Sequence, residues 1–361
     1  MKLRLAIFFL FIFNSYQCKA ALAVEDVVVA NNDYLSFPDM VKLQSGEILV
    51  VYRRGKNHAA SDGKIWAIKS DLAGKFSSAV PFVLYDDPVV DDRDPSIYQL
   101  KNGEIILTFF KYFYSPVKST QTFMVRFNHQ LKKLSEQRIS SDSLKMANSS
   151  NLIESNQWGL ILPTYGYTNN EKLFSVGFYQ AELTSSAWTL FQSVVSGTQN
   201  RYWPQEPAIV ELASHQLLMM YRTSKESDGP AGLYPMYYTL SDPSRLDQWS
   251  NPVAMDTIGH APKLLRLSHG ALIAIFRSLD NFDNHALFRC EVAYKLSNDE
   301  GKTWSNNQVI YQSPNDRIYG WDCGYPSIIE LNQQDLLAVY YTFRGKSIQI
   351  ARFSLPNFRF R

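Results

Sequence analysis

Apolar and polar positions along this chain recur with a long period. The clearest copy is Gly324-Tyr325-Pro326-Ser327-Ile328-Ile329-Glu330-Leu331, followed by Asp335-Leu336-Leu337-Ala338-Val339-Tyr340-Tyr341. It reads as an apolar run, a polar turn and a second apolar run. Aligning on Pro326 gives equivalent anchors at Pro38, Pro95, Ser150, Pro207 and Pro262, with successive anchors 55 to 64 residues apart. Two positions after each anchor sit Met40, Ile97, Leu152, Ile209, Leu264 and Ile328. Ten positions after it, where the second run begins, sit Ile48, Ile105, Leu160, Leu217, Leu272 and Leu336. Gly46, Gly103 and Gly270 mark the turn between the runs in three copies. A continuous helical period is absent. The pattern predicts an all-β, six-bladed β-propeller, whose units bury their faces only against neighbours.

Taken in order, Glu25 to Ala30 is a β-branched run before the first unit, and Ile348 to Phe353 is its expected partner in closing the ring. The first unit holds Leu49 to Tyr52, a polar stretch from Arg53 to Gly63, and a third strand from Ile65 to Ile68. The second opens with Asp91-Asp92-Arg93-Asp94-Pro95. The third departs most, with Ser150 at the anchor and Pro163 inside its second run. The fourth carries Trp203-Pro204-Gln205-Glu206-Pro207 and then Arg222; the fifth carries Gly259-His260-Ala261-Pro262 and then Arg277. After Cys290 comes the octet Ser297-Asn298-Asp299-Glu300-Gly301-Lys302-Thr303-Trp304, which fits S-x-D-x-G-x-T-W throughout. Such an octet is a local turn: Ser and Asp side chains bond backbone groups, Gly supplies positive φ, and Trp plugs the turn onto the sheet. Degraded copies are expected at Ser70 to Gly74 and at Trp249-Ser250.

Composition narrows the class without changing the fold. The 361 residues are 45% hydrophobic and 14% aromatic, enough to fill a large core. A net charge of +2, with no basic run to track phosphate, argues against nucleic acid. Residues 1–23 read as a cleavable leader: Lys2 and Arg4, an apolar run from Leu5 to Phe13, then Ala21-Leu22-Ala23. The run is too short for a transmembrane anchor. The expected domain is therefore 24–361, and the expected location is secreted or periplasmic. Export leaves Cys290 and Cys323, either as one disulfide or as two buried thiols. The six histidines form no metal-binding spacing, so neither metal nor cofactor is implied.

The octet, the six units and the Gly-Tyr-Pro-Ser segment together resemble the sialidase (neuraminidase) superfamily of six-bladed, Asp-box (BNR) propellers, over roughly Leu35 to Phe353. The resemblance implies a glycoside hydrolase acting on glycans bearing an acidic terminal sugar. It implies that Tyr325 is the nucleophile and that Glu206 is the base that polarises it. A neutral phenol suits an anomeric carbon that carries a carboxylate, because an anionic nucleophile would be repelled. Arg222 and Arg289 resemble two arginines that grip the substrate carboxylate with bidentate bonds. Asp62 resembles the loop acid/base by local sequence, and His58 fits by its distance from Arg53. Arg93 and Asp94 resemble the Asp-Pro element that borders the pocket.

One element of the pattern is missing. The superfamily opens its first blade with Arg-Ile-Pro, whereas this chain has Ser36-Phe37-Pro38, so Arg53 or Arg54 would have to supply that contact. Two other readings stay open: a uronic-acid polysaccharide lyase, and a glycan-binding propeller without activity. Residues just before each innermost strand are expected to gather on one face, which would place Tyr325 Oη within hydrogen-bond distance of Glu206.

Overall fold

The structure, a computed structural model, describes residues 22–115, 118–141, 145–167, 174–183, 187–189, 191–197, 202–225, 234–279, 290–313 and 322–355. The leader predicted over 1–23 lies almost wholly outside these, as does Arg289. The described chain is nearly all strand, with one short 3-10 turn at Phe343–Gly345. No helix among the described residues is long and apolar enough to cross a membrane.

The first unit is a four-stranded antiparallel meander: β1 (Ala23–Val29) precedes it, and β2 (Tyr34–Lys42), β3 (Ile48–Gly55), β4 (Lys64–Lys69) and β5 (Phe82–Tyr85) form it. The second repeats this with β6 (Asp91–Gln99), β7 (Ile105–Phe113), β8 (Ser119–Phe127) and β9 (Lys133–Arg138). In the third, β10 (Lys145–Ala147) and β11 (Ile153–Ser155) both pair with β12 (Gly159–Tyr167), which continues to β13 (Phe174–Ala181) and β14 (Gln192–Ser196). Its first strand is thus broken around Ser150. The break leaves Leu162 to Thr164 without a partner on that side, where the missing N–H of Pro163 costs no ladder bond.

The next seven strands form one hydrogen-bonded sheet. They are β15 (Tyr202–Glu211), β16 (Leu217–Lys225), β17 (Pro235–Leu240), β18 (Val253–Arg266), β19 (Leu272–Ser278), β20 (Glu291–Ser297) and β21 (Gln308–Gln312). The long β18 pairs with β17 through its first half and with β19 through its second. The last sheet is β22 (Gly324–Glu330), β23 (Asp335–Tyr341) and β24 (Ser347–Ser354), and β1 adds to the edge of β24. Val24 faces Ala351 and Asp26 faces Gln349, so the expected closure between the two ends is present.

Strand alternation explains the packing. Both faces of the second strand in each unit are apolar, and successive residues go to opposite neighbours. On β23, Leu336, Ala338 and Tyr340 pack with Ile273, Ile275 and Val292 of the fifth unit. Leu337, Val339 and Tyr341 pack with Leu35, Met40 and Val50 of the first. Further clusters join first to second, second to third, third to fourth and fourth to fifth units. Among the described residues the core is a series of interfaces between consecutive units.

The turn glycines behave as their spacing predicted. Gly46, Gly103 and Gly270 have φ of 98°, 91° and 100°, and each N–H bonds the leucine carbonyl three residues back. His215 makes the same turn in the fourth unit at φ 64°. The octet also folds as expected: Asp299 accepts from Thr303 N and Oγ1 at 2.9 and 2.6 Å, Ser297 Oγ accepts from Gly301 N at 2.9 Å, and Trp304 Nε1 donates to Gly301 O.

Cys290 and Cys323 are joined as a disulfide, with Cα atoms 6.1 Å apart. It ties the start of β20 to the segment that leads into Tyr325. Changing both cysteines to serine should cost about 2–4 kcal/mol of stability by releasing a loop in the unfolded chain. Denaturant melts of the double variant that overlay those of the parent would rule this out.

Candidate active site

The first strand of every unit but the third carries the same local device. Pairing skips two residues between Ser36 and Asp39, between Arg93 and Ser96, between Gln205 and Ala208, between His260 and Lys263, and between Gly324 and Ser327. The second of each skipped pair is the anchor proline, which has no N–H to place in a ladder. The first is Phe37, Asp94, Glu206, Ala261 or Tyr325, and all five have positive φ, between 42° and 53°. Left-handed backbone at non-glycine residues costs on the order of 1–3 kcal/mol each and collects at functional sites. Here the bulges turn these side chains out of the sheets. Phe37, Asp94, Ser149, Ala261 and Tyr325 line one small cavity together with Lys263.

Glu206 completes this ring. Tyr325 Oη donates to Glu206 Oε1 at 2.5 Å, and Ala261 N donates to Oε2 at 2.9 Å. Arg222 Nε lies 2.6 Å from the same Oε2, with both side chains almost fully enclosed. Burial alone would raise the Glu206 pKa. The charges of Arg222 and Arg277, the Tyr325 hydroxyl and the Ala261 amide outweigh it and hold the carboxyl below the usual carboxylate range. Burial, followed by the charges of Glu206 and Asp94, pushes the Tyr325 phenol well above 10. The resting pair is therefore a neutral phenol donating to a carboxylate. That is the protonation state a tyrosine needs if it is to lose its proton only as it attacks.

A second ring lies behind the first. The residue two before each anchor pairs across to Arg53, Phe110, Arg222, Arg277 and Tyr341, while Ala147 faces Tyr165 in the broken unit. Arg277 places its guanidinium carbon 5.3 Å from the Tyr325 ring centre, with Nη2 2.8 Å from His260 Nδ1 and Nη1 donating to Cys323 O. Tyr165 stands close enough to Glu206, Asp94 and Arg222 that their charges act on its phenol, which burial already pushes up. Arg277 and Tyr165 were not singled out from the sequence. Their signal was present, since both lie sixteen positions after a ring residue, as Arg222 does after Glu206.

The remaining expected residues divide. Arg93 joins the site: its guanidinium sits 5.1 Å from the Phe37 ring centre, and Phe37 in turn lies 4.8 Å from Tyr325. Among the described residues its buried Nε has no hydrogen-bond partner, while Nη1 is 3.7 Å from Asp91 Oδ2. Asp94 Oδ1 is likewise buried with no hydrogen-bond partner among the described residues. Burial pushes the Asp94 pKa up to about 7, against the lowering charge of Arg93. Neither candidate for the missing arginine reaches inward. Arg53 is fully enclosed, bonding Asp91 Oδ1 at 2.6 Å and the carbonyls of Asn57 and Ala60. Arg54 pairs with Asp33 and lies over Trp66. Asp62 accepts from Lys56 N at the loop surface, whereas His58 packs edge-on against Phe37 at 5.1 Å. Among the described residues, no group of three His, Cys, Asp or Glu side chains is placed to hold a metal.

No protein-family model and no curated protein sequence matches this chain. Solved structures do. A Dyadobacter fermentans protein of unknown function is similar over 92% of this chain and 99% of its own, at 17% identity and a TM-score of 0.75. The α-L-arabinanase of Penicillium chrysogenum, solved with arabinobiose, is similar over 93% of this chain and 98% of its own, at 13% identity and a TM-score of 0.65. The endosialidase of phage phi92 is similar over 95% of this chain and 70% of its own, at 10% identity and a TM-score of 0.63. At these identities the likeness speaks to fold, and the fold is nearly all-β with propeller-fold neighbours.

Proposed function

We propose that this chain is a glycoside hydrolase on a six-bladed propeller of the sialidase type, acting on a glycan with a terminal acidic sugar. The observation that carries the reading is the 2.5 Å bond from Tyr325 Oη to a Glu206 carboxylate at the point where the bulges converge. In the first half-reaction Tyr325 Oη bonds to the anomeric carbon as its proton passes to Glu206. The glycosidic C–O bond breaks, and the departing oxygen takes a proton from Asp62 or His58 on the loop between β3 and β4. Water then displaces the tyrosine, its proton returns to that group, and Tyr325 recovers its own from Glu206. Arg93, Arg222 and Arg277 give the cavity the positive field an acidic sugar requires. The six interfaces between consecutive units, the β1–β24 closure and the propeller-fold neighbours support the blade count; β18 is read as shared between the fourth and fifth blades. Export is part of the proposal, and the disulfide is in keeping with an oxidising compartment.

The test is product analysis with aryl glycosides of sialic acid, uronic acids and arabinose. Release of the phenol with a reducing sugar supports hydrolysis. With polymeric uronates, an ultraviolet-absorbing unsaturated sugar identifies a lyase, and intact glycan with measurable binding identifies a lectin. Asp94 adds a pH signature. With its pKa at about 7, it is neutral in acid and becomes an anion as pH rises through 7. KM for an acidic substrate should therefore rise over that range, and Asp94→Asn should flatten the rise. The folding linkage has the same sign: the stability Asp94 contributes is full below its ordinary value of 3.8 and is lost as pH rises through about 7.

A further inference from the structure

Three residues before Tyr325, Asp322 forms a polar cluster around His58, and the reaction scheme above gives Asp322 no role. Its Oδ1 accepts from Tyr341 Oη at 2.9 Å and lies 3.1 Å from His58 Nδ1, while Oδ2 accepts from Tyr34 Oη. Tyr34 Oη is also 3.2 Å from His58 Nδ1. These contacts bring the loop between β3 and β4 (His58) against β2 (Tyr34), β23 (Tyr341) and the segment leading into β22 (Asp322). The segment is fixed independently by the Cys290–Cys323 disulfide, by Arg277 Nη1 on Cys323 O, and by Arg344 N on Asp322 O.

Counting protons decides the histidine tautomer. Burial would raise the Asp322 pKa, but bonds and charge from His58, with the Tyr34 and Tyr341 hydroxyls, hold it below the ordinary carboxylate value. Burial and the Asp322 charge push Tyr34 up, so it stays a phenol with one proton. That proton goes to Asp322 Oδ2, and the Tyr34 oxygen is left facing Nδ1 as an acceptor. The carboxylate is an acceptor too. Both groups that face Nδ1 therefore demand a proton on it. Nε2 has no hydrogen-bond partner among the described residues, and the ring stands edge-on to Phe37, which touches Tyr325. Lys56 and Asp62, the other charged groups of the loop, bond each other at its surface.

We propose that Asp322, with Tyr34, is a positioning residue that fixes His58 as the Nδ1–H tautomer and leaves Nε2 as the proton-exchanging atom of a ring that packs on Phe37, the neighbour of Tyr325. The catalytic use of that atom rests on the hydrolase reading. As imidazolium, His58 gives the Nε2 proton to the departing glycosidic oxygen. As neutral imidazole, it takes a proton at Nε2 from the water that displaces Tyr325. Nδ1 keeps its proton throughout.

The experiment is ¹⁵N NMR of the full chain labelled at histidine, with the His58 signals assigned by their loss in His58→Gln. Neutral His58 should show a pyrrole-type Nδ1 and a pyridine-type Nε2. Asp322→Asn, which can turn an N–H donor toward the ring, should shift population to the Nε2–H tautomer; if the protein is active, kcat should fall at least tenfold with KM little changed. A parent spectrum with the proton on Nε2 overturns the proposal without needing any variant to fold, as does a tautomer ratio unmoved in folded Asp322→Asn. An Nδ1–H spectrum in a protein that cleaves no glycoside upholds the positioning role and sinks the hydrolase reading instead.

Discussion

Tyr325→Phe should lower kcat by about 10²–10⁴-fold on any glycoside the protein cleaves, and Glu206→Gln should do the same. The two side chains meet through one short bond, so each is useless without the other. Removing the phenolic oxygen leaves Glu206 with no proton to take. Removing the carboxylate leaves a phenol that burial and neighbouring charge hold well above 10. The double variant should therefore be little worse than either single one, because groups acting as a unit do not contribute additively. Folding should survive Tyr325→Phe, since the ring keeps its edge contact with Phe37 and its place beneath Arg277. Glu206→Gln is less innocent. It leaves the Arg222 guanidinium buried beside a neutral amide, so its melting must be checked separately. Steady-state kinetics on the folded variants decide the matter, and undiminished kcat in Tyr325→Phe removes the mechanism while leaving the fold untouched.

Much of the architecture could be read from the sequence because it repeats. Apolar positions two and ten after each anchor marked the first two strands of every unit but the third, whose first strand is broken at Leu152, and their alternation became the interfaces between units. What a repeat displays once per unit is easy to see; what it combines across units is not. Arg277 and Tyr165 could have been found by carrying the offset of Arg222 from Glu206 around the ring. Positive φ before each anchor proline could not, since Phe37, Ala261 and Tyr325 are not residues that announce left-handed backbone. Asp322 was invisible for a different reason. Its partner His58 is 264 positions away in sequence, and only closure of the first unit on the last brings them together. The sequence suggested that Arg222 grips a substrate carboxylate; it did not show that its register opposite Gln205 also brings its Nε to Glu206. A charge in the right unit tells less than a charge at the right step of the bulge.

Arg53→Met should destabilise the fold by about 3–5 kcal/mol, because it strips the cation from an ion pair with no exposure on either side. The pair is built tightly: a Cβ placed on Gly63 would stand 1.8 Å from Asp91 Oδ1 and 2.5 Å from Arg53 Nε, so even Gly63→Ala should disturb it. The two partners are not equally dependent on each other. Without Arg53, Asp91 keeps the Ala60 amide at 3.3 Å, the Tyr114 hydroxyl at 3.2 Å and Arg93 at 3.7 Å. Without Asp91, the buried Arg53 guanidinium keeps, among the described residues, the carbonyls of Asn57 and Ala60. Asp91→Leu should therefore cost at least as much as Arg53→Met. Combining them removes both charges, and the double variant should recover more than half of the stability lost by either, as apolar replacement of whole buried pairs does elsewhere. Activity should not return with it. Arg53 is also what fastens the loop that carries His58, through those same two carbonyls, and methionine offers them no donor. Denaturant melts of the two single variants and the double measure the coupling, while kcat on the same samples reads the loop. Recovery of both together would mean that Arg53 serves the fold and not the loop, and that His58 finds its place beside Phe37 through Asp322 without the two Arg53–carbonyl bonds.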